Sequence, residues 1–273
     1  MRLLRPLLIL VAVLAVLAVL IAVTIWATAP KAGGGRFLLR PKSDYTSGPW
    51  FAYVSPWGGE SLLVMRPWSK IADGISLDLK RMPAETVFQW RWPPINPSFG
   101  PGVWGYNHVA YGNYDGGQTE VAVEPIRVRD VRQFRQSFDW SLDAEWGEAN
   151  VLTEFYLRSD RDDVESRSLE VGWFLHLPDG TRPFFEGAKQ VGTFVDPQGR
   201  SWRVRIADKF CMFALEDSGD LKKASLDMLA SLRWLESRQL VAGEEWLWGV
   251  AIGVEPVSGI GEMTLHDWDV QRR

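Results

Sequence analysis

Cysteine and histidine are scarce in this chain. Its 273 residues include one cysteine, Cys211, and three histidines that are scattered without the spacing of metal ligands. A single cysteine excludes a disulfide within the chain, and its apolar neighbours indicate a small core residue rather than a nucleophile. Because protein-bound zinc is usually held by closely spaced His and Cys, we expect no catalytic metal, and no cofactor.

An excess of positive charge is also missing. The formal net charge is −4, whereas nucleic-acid binding needs a basic surface, so we expect no nucleic-acid partner. Tryptophan, by contrast, is abundant, with 15 residues. Indole rings offer rigid apolar area with a polar edge, which suits both core packing and stacking against the faces of sugar rings.

Charged residues are absent between Arg5 and Lys31, where most positions are Leu, Val, Ala or Ile. This stretch can span a bilayer as a helix, which takes about 20 apolar residues. It is longer than the apolar core of a usual signal peptide, about 7–15 residues. Ala27-Thr28-Ala29 has the small-x-small form of a cleavage site, but the proline that follows disfavours cleavage.

These features predict a division of the chain into three parts. We interpret residues 1–30 as a signal anchor, with a cleaved signal peptide as the alternative. Residues 31–40 contain three consecutive glycines and are predicted to be a flexible linker. Residues 41–273 would then be exported. They would be held at a membrane that the N-terminal helix spans, or secreted if that helix is removed.

Long helical patterns are missing from the linker to about residue 219. Short apolar segments are separated there by Gly, Pro, Asn and Asp, and Asp179-Gly180 is typical of a hairpin turn. The pattern predicts an all-β domain, either a sandwich or a curved double sheet. One packed α-helix is predicted over about residues 220–238, where apolar residues recur at helical spacing after the capping candidates Asp217 and Asp220.

Two glutamates lie on predicted strands. Glu255 follows the apolar run Trp246–Ile252 and precedes Pro256, which we expect to end the strand; Glu170 lies within Leu169–Leu175. A strand holds a carboxylate in a fixed position. Since glycoside hydrolysis is normally carried out by a pair of carboxylates, two such glutamates in a tryptophan-rich chain favour a glycosidase.

Four segments between about Trp104 and Val270 resemble glycoside hydrolase family 12, the jelly-roll endoglucanases and xyloglucan hydrolases. Gly253-Val254-Glu255-Pro256-Val257-Ser258-Gly259 is similar to the family's acid/base segment, and Leu169-Glu170-Val171-Gly172-Trp173-Phe174-Leu175 to its nucleophile strand. Asn150-Val151-Leu152-Thr153-Glu154-Phe155 resembles the strand whose carboxylate neighbours the nucleophile. Gly199-Arg200-Ser201-Trp202 resembles a hairpin of the family, and the segments share its order and spacing.

The chain departs from the family's pattern beside the predicted nucleophile. Gly172 stands where the family has a methionine, Phe174 where it has a tryptophan, and Glu154 where it has an aspartate. Residues 37–100 match the family poorly. The departures bear most on substrate preference, so the polysaccharide is left open.

The resemblance implies a β-jelly-roll sandwich of two curved antiparallel sheets and a retaining mechanism. Glu170 would be the nucleophile, Glu255 the acid/base and Glu154 the neighbour that hydrogen-bonds the nucleophile. In a retaining enzyme the two catalytic carboxyl groups lie about 5–5.5 Å apart. These roles call for a low pKa at Glu170 and a raised pKa at Glu255. The candidate sugar-stacking platforms are Trp104, Trp140, Trp146 and Trp173.

The expected activity is endo-acting hydrolysis of β-1,4-glucan-type polysaccharides, such as cellulose-like, mixed-linkage or xyloglucan chains, by a monomer. Two alternatives remain open. The same jelly roll could bind glycan without cutting it, or its groove could recognise a peptide or a cell-wall polymer at a membrane. Retention of both glutamates favours the enzyme.

Overall fold

The computed structural model describes residues 4–115, 121, 123–217 and 219–273. The first three residues of the predicted anchor therefore lie outside the described residues. Two single-turn 3₁₀ helices occupy Leu63–Met65 and Val128–Asp130. The α-helices are α1 (Leu4–Thr28), α2 (Trp57–Ser61), α3 (Arg66–Ser69), α4 (Arg182–Gly187) and α5 (Met228–Ser237).

Fifteen β-strands account for most of the regular secondary structure of the described residues. They are β1 (Phe37–Leu39), β2 (Asp44–Ser47), β3 (Trp50–Tyr53), β4 (Asp73–Leu77), β5 (Thr86–Arg91), β6 (Asn107–Tyr111), β7 (Ile126–Arg127), β8 (Phe134–Arg158), β9 (Arg167–His176), β10 (Lys189–Val195), β11 (Ser201–Ala207), β12 (Phe210–Leu215), β13 (Lys223–Asp227), β14 (Trp246–Leu247) and β15 (Val250–Arg272).

The two longest strands, β8 and β15, pair with each other and run through both layers of the fold. β15 pairs with β6 along its first residues and with β5 after Gly259. β8 pairs with β13 near its start and with β9 near its end. Bulges interrupt the β8–β15 register at three places, which lets the strands bend. The predicted all-β jelly roll, built of curved sheets, is confirmed.

Strand pairing is antiparallel throughout the described residues, with one exception. β12 runs parallel to β9, with Phe210 opposite Glu170 and Met212 opposite Gly172. The chain leaves β9, passes through α4, and forms the β10–β11–β12 meander before returning to the edge of β9. A parallel pair needs such a long connection, because a short hairpin always reverses the strand direction.

Successive side chains on β8, β9 and β15 point to opposite faces, as in any strand. One set, including Val151, Phe155, Val171, Ile252 and Val254, packs into the main hydrophobic core between the layers. The other set faces away from this core, and we call its side the site face. It carries a second apolar cluster that includes Leu152, Phe174, Met212 and Ala251.

Two predictions about local structure were wrong. Residues 223–227 form β13 rather than the first turns of the helix, because they pair with Arg135–Asp139 of β8. α5 begins at Met228, where the side chain of Asp227 accepts a hydrogen bond from the N–H of Ala230, 3.1 Å away, and caps the helix. Nor does Pro256 end a strand, since β15 continues to Arg272 with a bulge after the proline.

The N-terminal segment is attached to the β domain. The main-chain N–H of Lys31 donates to Gln89, and the Ser76 hydroxyl donates to the carbonyl of Ala32. β1 pairs with β4, so regular structure begins inside the segment that was predicted as a linker. Within α1, Ile9–Thr28 is long and apolar enough to cross a membrane, a property that signal sequences share.

Candidate active site

Sheet register brings three glutamates to the site face. On β8, Glu154 lies opposite Gly172 of β9 and Ala251 of β15. Glu170 lies two residues before Gly172, on the same face of β9. Glu255 lies four residues after Ala251, on the same face of β15. Three separate sequence segments thus contribute one carboxyl group each.

Glu154 occupies the centre of this group and is almost completely buried, with 3% of its surface exposed. The hydroxyl of Tyr114 donates a hydrogen bond to its Oε1. Burial, followed by the charges of Glu170 and Glu255, raises the pKa of Glu154 well above its usual range. This shift favours the protonated form of Glu154.

Glu170 and Glu255 also have raised pKa values. Burial raises the pKa of Glu170 to about 7, while a hydrogen bond from Glu154 and the charge of Arg167 act in the opposite direction. Burial raises the pKa of Glu255 to about 8, and the charge of Glu170 adds to this increase. The raised pKa of Glu255 matches the prediction, but the low pKa that was predicted for Glu170 was wrong because the site is desolvated.

A chain of hydrogen bonds holds Glu255 in place. Asn150 lies directly opposite Glu255 in the β8–β15 register, and its Nδ2 donates to Oε2 of Glu255 over 2.8 Å. The hydroxyl of Thr181 donates to Oδ1 of Asn150 over 2.5 Å, which fixes the orientation of the amide. Asn150 and Thr181 are buried. The carboxyl group of Glu255 is thus oriented by β8 and by the turn before α4.

A cavity of about 290 Å³ opens beside Glu154 and Glu255, and Glu170 is not among its lining residues. Glu154 and Glu255 form part of its wall, and Trp57 lies at its edge with 37% of its surface exposed. Carboxyl groups with shifted pKa values in a concave, partly aromatic site are typical of catalytic centres. The other lining residues are Ser55, Tyr106, His108, Tyr114, Asp115, Tyr156 and Arg167.

Three of the four tryptophans predicted to stack on sugars are core residues. Trp104, Trp140 and Trp173 are 1–2% exposed and belong to the main core. Trp173 is three residues from Glu170 on β9, and an odd spacing puts two side chains on opposite faces of a strand. Trp104 stacks on the ring of Trp92, with centroids 4.7 Å apart. The sugar-platform role predicted for these three residues is therefore corrected.

Trp146 is exposed, at 76%, but it lies away from the glutamates. It lines a separate depression that also includes Ala29 and Lys31 at the end of α1. None of the three glutamates of the site face lines this depression. The exposed ring that does lie beside Glu255 is Trp57, which was not predicted.

The glycine that replaces the family's methionine fits its surroundings. A Cβ atom at Gly172 would lie 2.6 Å from Cε2 of Phe210 and 2.9 Å from its Cζ. Phe210 stands opposite Glu170 in the parallel β9–β12 pair, so its ring covers the strand next to that glutamate. The aromatic side chain from β12 thus fills space that a side chain at position 172 would need.

Several residues of the site were missed because no local pattern marks them. His108, Tyr114 and Arg167 come from different parts of the chain and meet only through the sheet register. Asn150 and Tyr156 could have been found, because they lie four residues before and two after Glu154, spacings that place them on its face. Among the described residues, no group of three or more His, Cys, Asp or Glu side chains is arranged to hold a metal ion.

Known structures with a similar fold include family 12 glycoside hydrolases. The chain is similar to the family 12 xyloglucanase of Bacillus licheniformis, with a TM-score of 0.69 and 18% identity over 87% of this chain and all of the other. It is similar to the catalytic domain of Humicola grisea Cel12A, solved with a soaked thio cellotetraose, with a TM-score of 0.68, 18% identity, and coverage of 87% and 99%.

The endoglucanase Cel12A of Rhodothermus marinus is a third such structure. Its TM-score is 0.66 at 20% identity, over 87% of this chain and all of that one. The comparison with protein-family models gives no match, and neither does the comparison with curated proteins. At identities of 15–20% these likenesses show that the chain has the jelly-roll fold of family 12 enzymes.

Proposed function

We propose that this protein is a retaining, endo-acting glycoside hydrolase that cleaves β-1,4-glucan-type polysaccharides by double displacement. The observation that carries the proposal is the group of three glutamates on one face of the jelly roll, each with a raised pKa and each on a different strand. A carboxylate pair in such a setting is the standard apparatus for glycoside hydrolysis.

Glu170 is the proposed nucleophile. Of the three glutamates it has the pKa least raised by its surroundings, because Glu154 donates a hydrogen bond to it and Arg167 attracts its negative charge. The ionised carboxylate attacks the anomeric carbon and forms a covalent glycosyl-enzyme. Glu154 stays protonated and holds the nucleophile in place, so it is a positioning residue.

Glu255 is the proposed acid/base. With a pKa of about 8 it carries a proton at neutral pH and can donate it to the oxygen of the departing sugar. Once Glu170 is bound covalently its charge is lost, which removes one cause of the raised pKa at Glu255. Glu255 is then a better base for the incoming water, as the second half of a double displacement requires.

The exposed platform for the glucan is proposed to be Trp57, at the edge of the cavity. Because α2 begins at Trp57, its ring is held at one end of the cavity by the backbone of a short helix. The N–H of Gly58 donates to the carbonyl of Trp104 over 2.8 Å, which ties this helix to the core. A fixed aromatic ring loses little entropy when a sugar stacks on it.

The first test is release of reducing sugar by the full-length chain in detergent. Carboxymethylcellulose, barley β-glucan and xyloglucan would be compared, with Glu170→Gln and Glu255→Gln as variants. The matched control is Glu262→Gln, because Glu262 is exposed and lies on the same strand as Glu255. We expect activity on at least one glucan, its loss in both site variants, and full activity in the control.

The mechanism has its own readout. A 2-deoxy-2-fluoro cellobioside with a good leaving group should add one glycosyl mass to the peptide that contains Glu170, since it traps the covalent intermediate of a retaining enzyme. A folded protein that binds these glucans but releases no sugar from any of them would refute hydrolysis and indicate a glycan-binding protein.

We also propose that α1 remains attached as a membrane anchor and that the β domain is exported. The residues on both sides of the possible cleavage site contact the folded domain: Arg91 hydrogen-bonds the carbonyl of Ile25, and the main chain of Lys31 donates to Gln89. N-terminal sequencing of the protein from membranes tests this, since a mature chain that starts after Ala29 would overturn it. The expected monomer is checked by light scattering on the same preparation.

A further inference from the structure

The cavity beside the glutamates contains a cation whose hydrogen-bonding groups the proposed mechanism leaves unused. Arg167 is the first residue of β9 and lines the same cavity as Glu154 and Glu255. Its guanidinium carbon lies 4.2 Å from the centroid of the Tyr156 ring. The ring holds the guanidinium by a cation–π interaction at the wall of the cavity.

Arg167 has no carboxylate partner within 4.0 Å among the described residues, unlike two arginines of the β10–β11 hairpin. Arg200 pairs with Asp196 at 2.6 Å, and Arg203 pairs with Glu186 at 2.5 Å. In addition, Nε of Arg167 is buried and has no hydrogen-bond partner within the described part of the chain. Leaving a buried donor unpaired costs about 1–3 kcal/mol, so this atom is available to an acceptor on a ligand.

Two other cations lie near Arg167. The ammonium of Lys209 donates to the carbonyl of Arg167 over 2.9 Å. The guanidinium carbon of Arg158 lies 5.6 Å from the centroid of the same Tyr156 ring, and its buried Nη2 also lacks a partner among the described residues. Burial and then the charge of Arg167 lower the pKa of Arg158, while Asp115 and Glu165 act in the opposite direction. An anionic ligand would reduce the remaining repulsion between the two guanidinium groups.

The carboxyl groups around the cavity act on this cation through their charges and not through a close ion pair. Arg167 lowers the pKa values of Glu154 and Glu170, and Asp115 also lines the cavity. Nε of Arg167 still has no acceptor among the described residues, and a carboxylate on a ligand would supply one.

A hydroxyl-bearing ligand is indicated by His108, on the same cavity. Its ring is 1% exposed, and its Nδ1 lies 3.1 Å from the carbonyl of Tyr106, to which it donates. Nε2 is then an acceptor, and it has no partner in the described part of the chain. An unpaired buried acceptor and an unpaired buried donor on one cavity match a ligand that carries both hydroxyl and anionic groups.

We propose that this cavity binds an acidic sugar unit, whose carboxylate pairs with Arg167 while one of its hydroxyl groups donates to Nε2 of His108. The planar guanidinium matches a carboxylate in two parallel hydrogen bonds. The substrate class is then a β-1,4-linked polysaccharide with uronic-acid units rather than a wholly neutral glucan. This inference rests on the proposed function in one respect: its kinetic readout requires that the chain hydrolyses the polymer.

The test compares polymers that differ only in charge. A soluble β-1,4-glucan oxidised at C6 to the carboxylate would be compared with the same polymer reduced back to the alcohol, and with a C6-sulfated glucan. The full-length chain should show a higher kcat/KM on the carboxylated polymer than on the reduced one. In Arg167→Gln the ratio of these two values should fall by about tenfold or more, the effect of one charge-assisted hydrogen bond.

Control variants separate recognition from simple electrostatics. Arg161→Gln removes an exposed arginine that pairs with Glu124 at 2.6 Å, and should leave the ratio unchanged. Arg167→Lys keeps the charge but loses the planar fork, so its ratio should fall between those of the wild type and Arg167→Gln. If Arg167 only adjusted the pKa values of the glutamates, its variants would change the pH profile on both polymers equally and leave the ratio unaltered.

Each outcome bears on one of the two proposals. Hydrolysis of the reduced glucan without any preference for the carboxylated polymer overturns the acidic-sugar inference and leaves the proposed hydrolase intact. Binding of a carboxylated cello-oligosaccharide to the wild type, weakened in Arg167→Gln, without cleavage of any polymer supports the inference and refutes the hydrolase. If kcat/KM is the same on the sulfated and the carboxylated polymers, the cavity does not select a carboxylate, and that part of the inference is overturned.

Discussion

Replacing Glu154 with alanine should move the acidic limb of the pH–activity profile to higher pH. Glu154 is protonated and donates a hydrogen bond to Glu170, which lowers the pKa of Glu170 and raises that of Glu154. The Tyr114 hydroxyl donates to Oε1 of Glu154, so the other oxygen is the one that carries the proton. Alanine removes this donor, and the ionised form of Glu170 becomes less favourable.

The size of the shift follows from the pKa values of the site. The proposed mechanism needs Glu170 ionised and Glu255 protonated, so we expect activity to rise as the pH passes about 7 and to fall as it passes about 8. With these two values, about 60% of the molecules hold the correct form at the optimum. A hydrogen bond to a charged group contributes about 1.5–3 kcal/mol. At about 1.36 kcal/mol per pKa unit, its loss raises the pKa of Glu170 by roughly one to two units.

The two limbs then meet or cross, and the correctly protonated fraction at the optimum falls by about twofold or more. The assay is kcat/KM on a soluble glucan from about pH 5 to pH 10. Glu154→Gln keeps an N–H donor and should stay closer to the wild type, and the exposed Glu262→Gln should not shift the profile. If Glu154 were instead ionised, removing its negative charge would lower the pKa of Glu170. A shift of the acidic limb to lower pH in Glu154→Ala would therefore refute this reasoning.

Two further predictions concern stability. Burial raises the pKa of Glu255 to about 8, so the stability it contributes is complete below the unfolded pKa of about 4.3 and declines as pH rises toward 8. Glu255→Gln should therefore raise the midpoint temperature of unfolding at pH 8 and change it little at pH 4. A lower midpoint temperature of the variant at pH 8 would contradict the claim that burial destabilises the ionised form of Glu255. Gly172→Met should lower that midpoint, because its Cβ would collide with Phe210, and Phe210→Ala added to it should restore part of the loss.

The family resemblance alone implied that Glu154, Glu170 and Glu255 would meet in one site, and strand periodicity adds which neighbours share a face with them. Glu154 and Asn150 are four residues apart on β8, and this even spacing gives them a common face. The same rule puts Trp173 on the face opposite to Glu170, so its position in the core could have been predicted from the sequence. The resemblance led instead to a role in sugar stacking, because the family has a tryptophan near this position.

Other features depended on pairing that no local segment encodes. Lys223–Asp227 carries both helical and alternating patterns, and its pairing with β8 selects the strand. Arg167 and His108 are 59 positions apart in the sequence, and they meet in one cavity because β6 and β9 both pack against the central β8–β15 pair. Contacts of this kind depend on the register of the sheet, which a single sequence specifies only through its turns and bulges.

The departures from the family pattern fit together as one change in the site. Glycine at position 172 leaves the space that the Phe210 ring occupies, and Phe210 stands opposite Glu170 in the neighbouring strand. Burial raises the pKa of Glu170, the proposed nucleophile, and a hydrogen bond from Glu154 and the charge of Arg167 partly reverse this increase. An arginine that supports ionisation of Glu170 also makes the cavity attractive to an acidic sugar. In this chain, therefore, the same cation would both support the nucleophile and select the substrate.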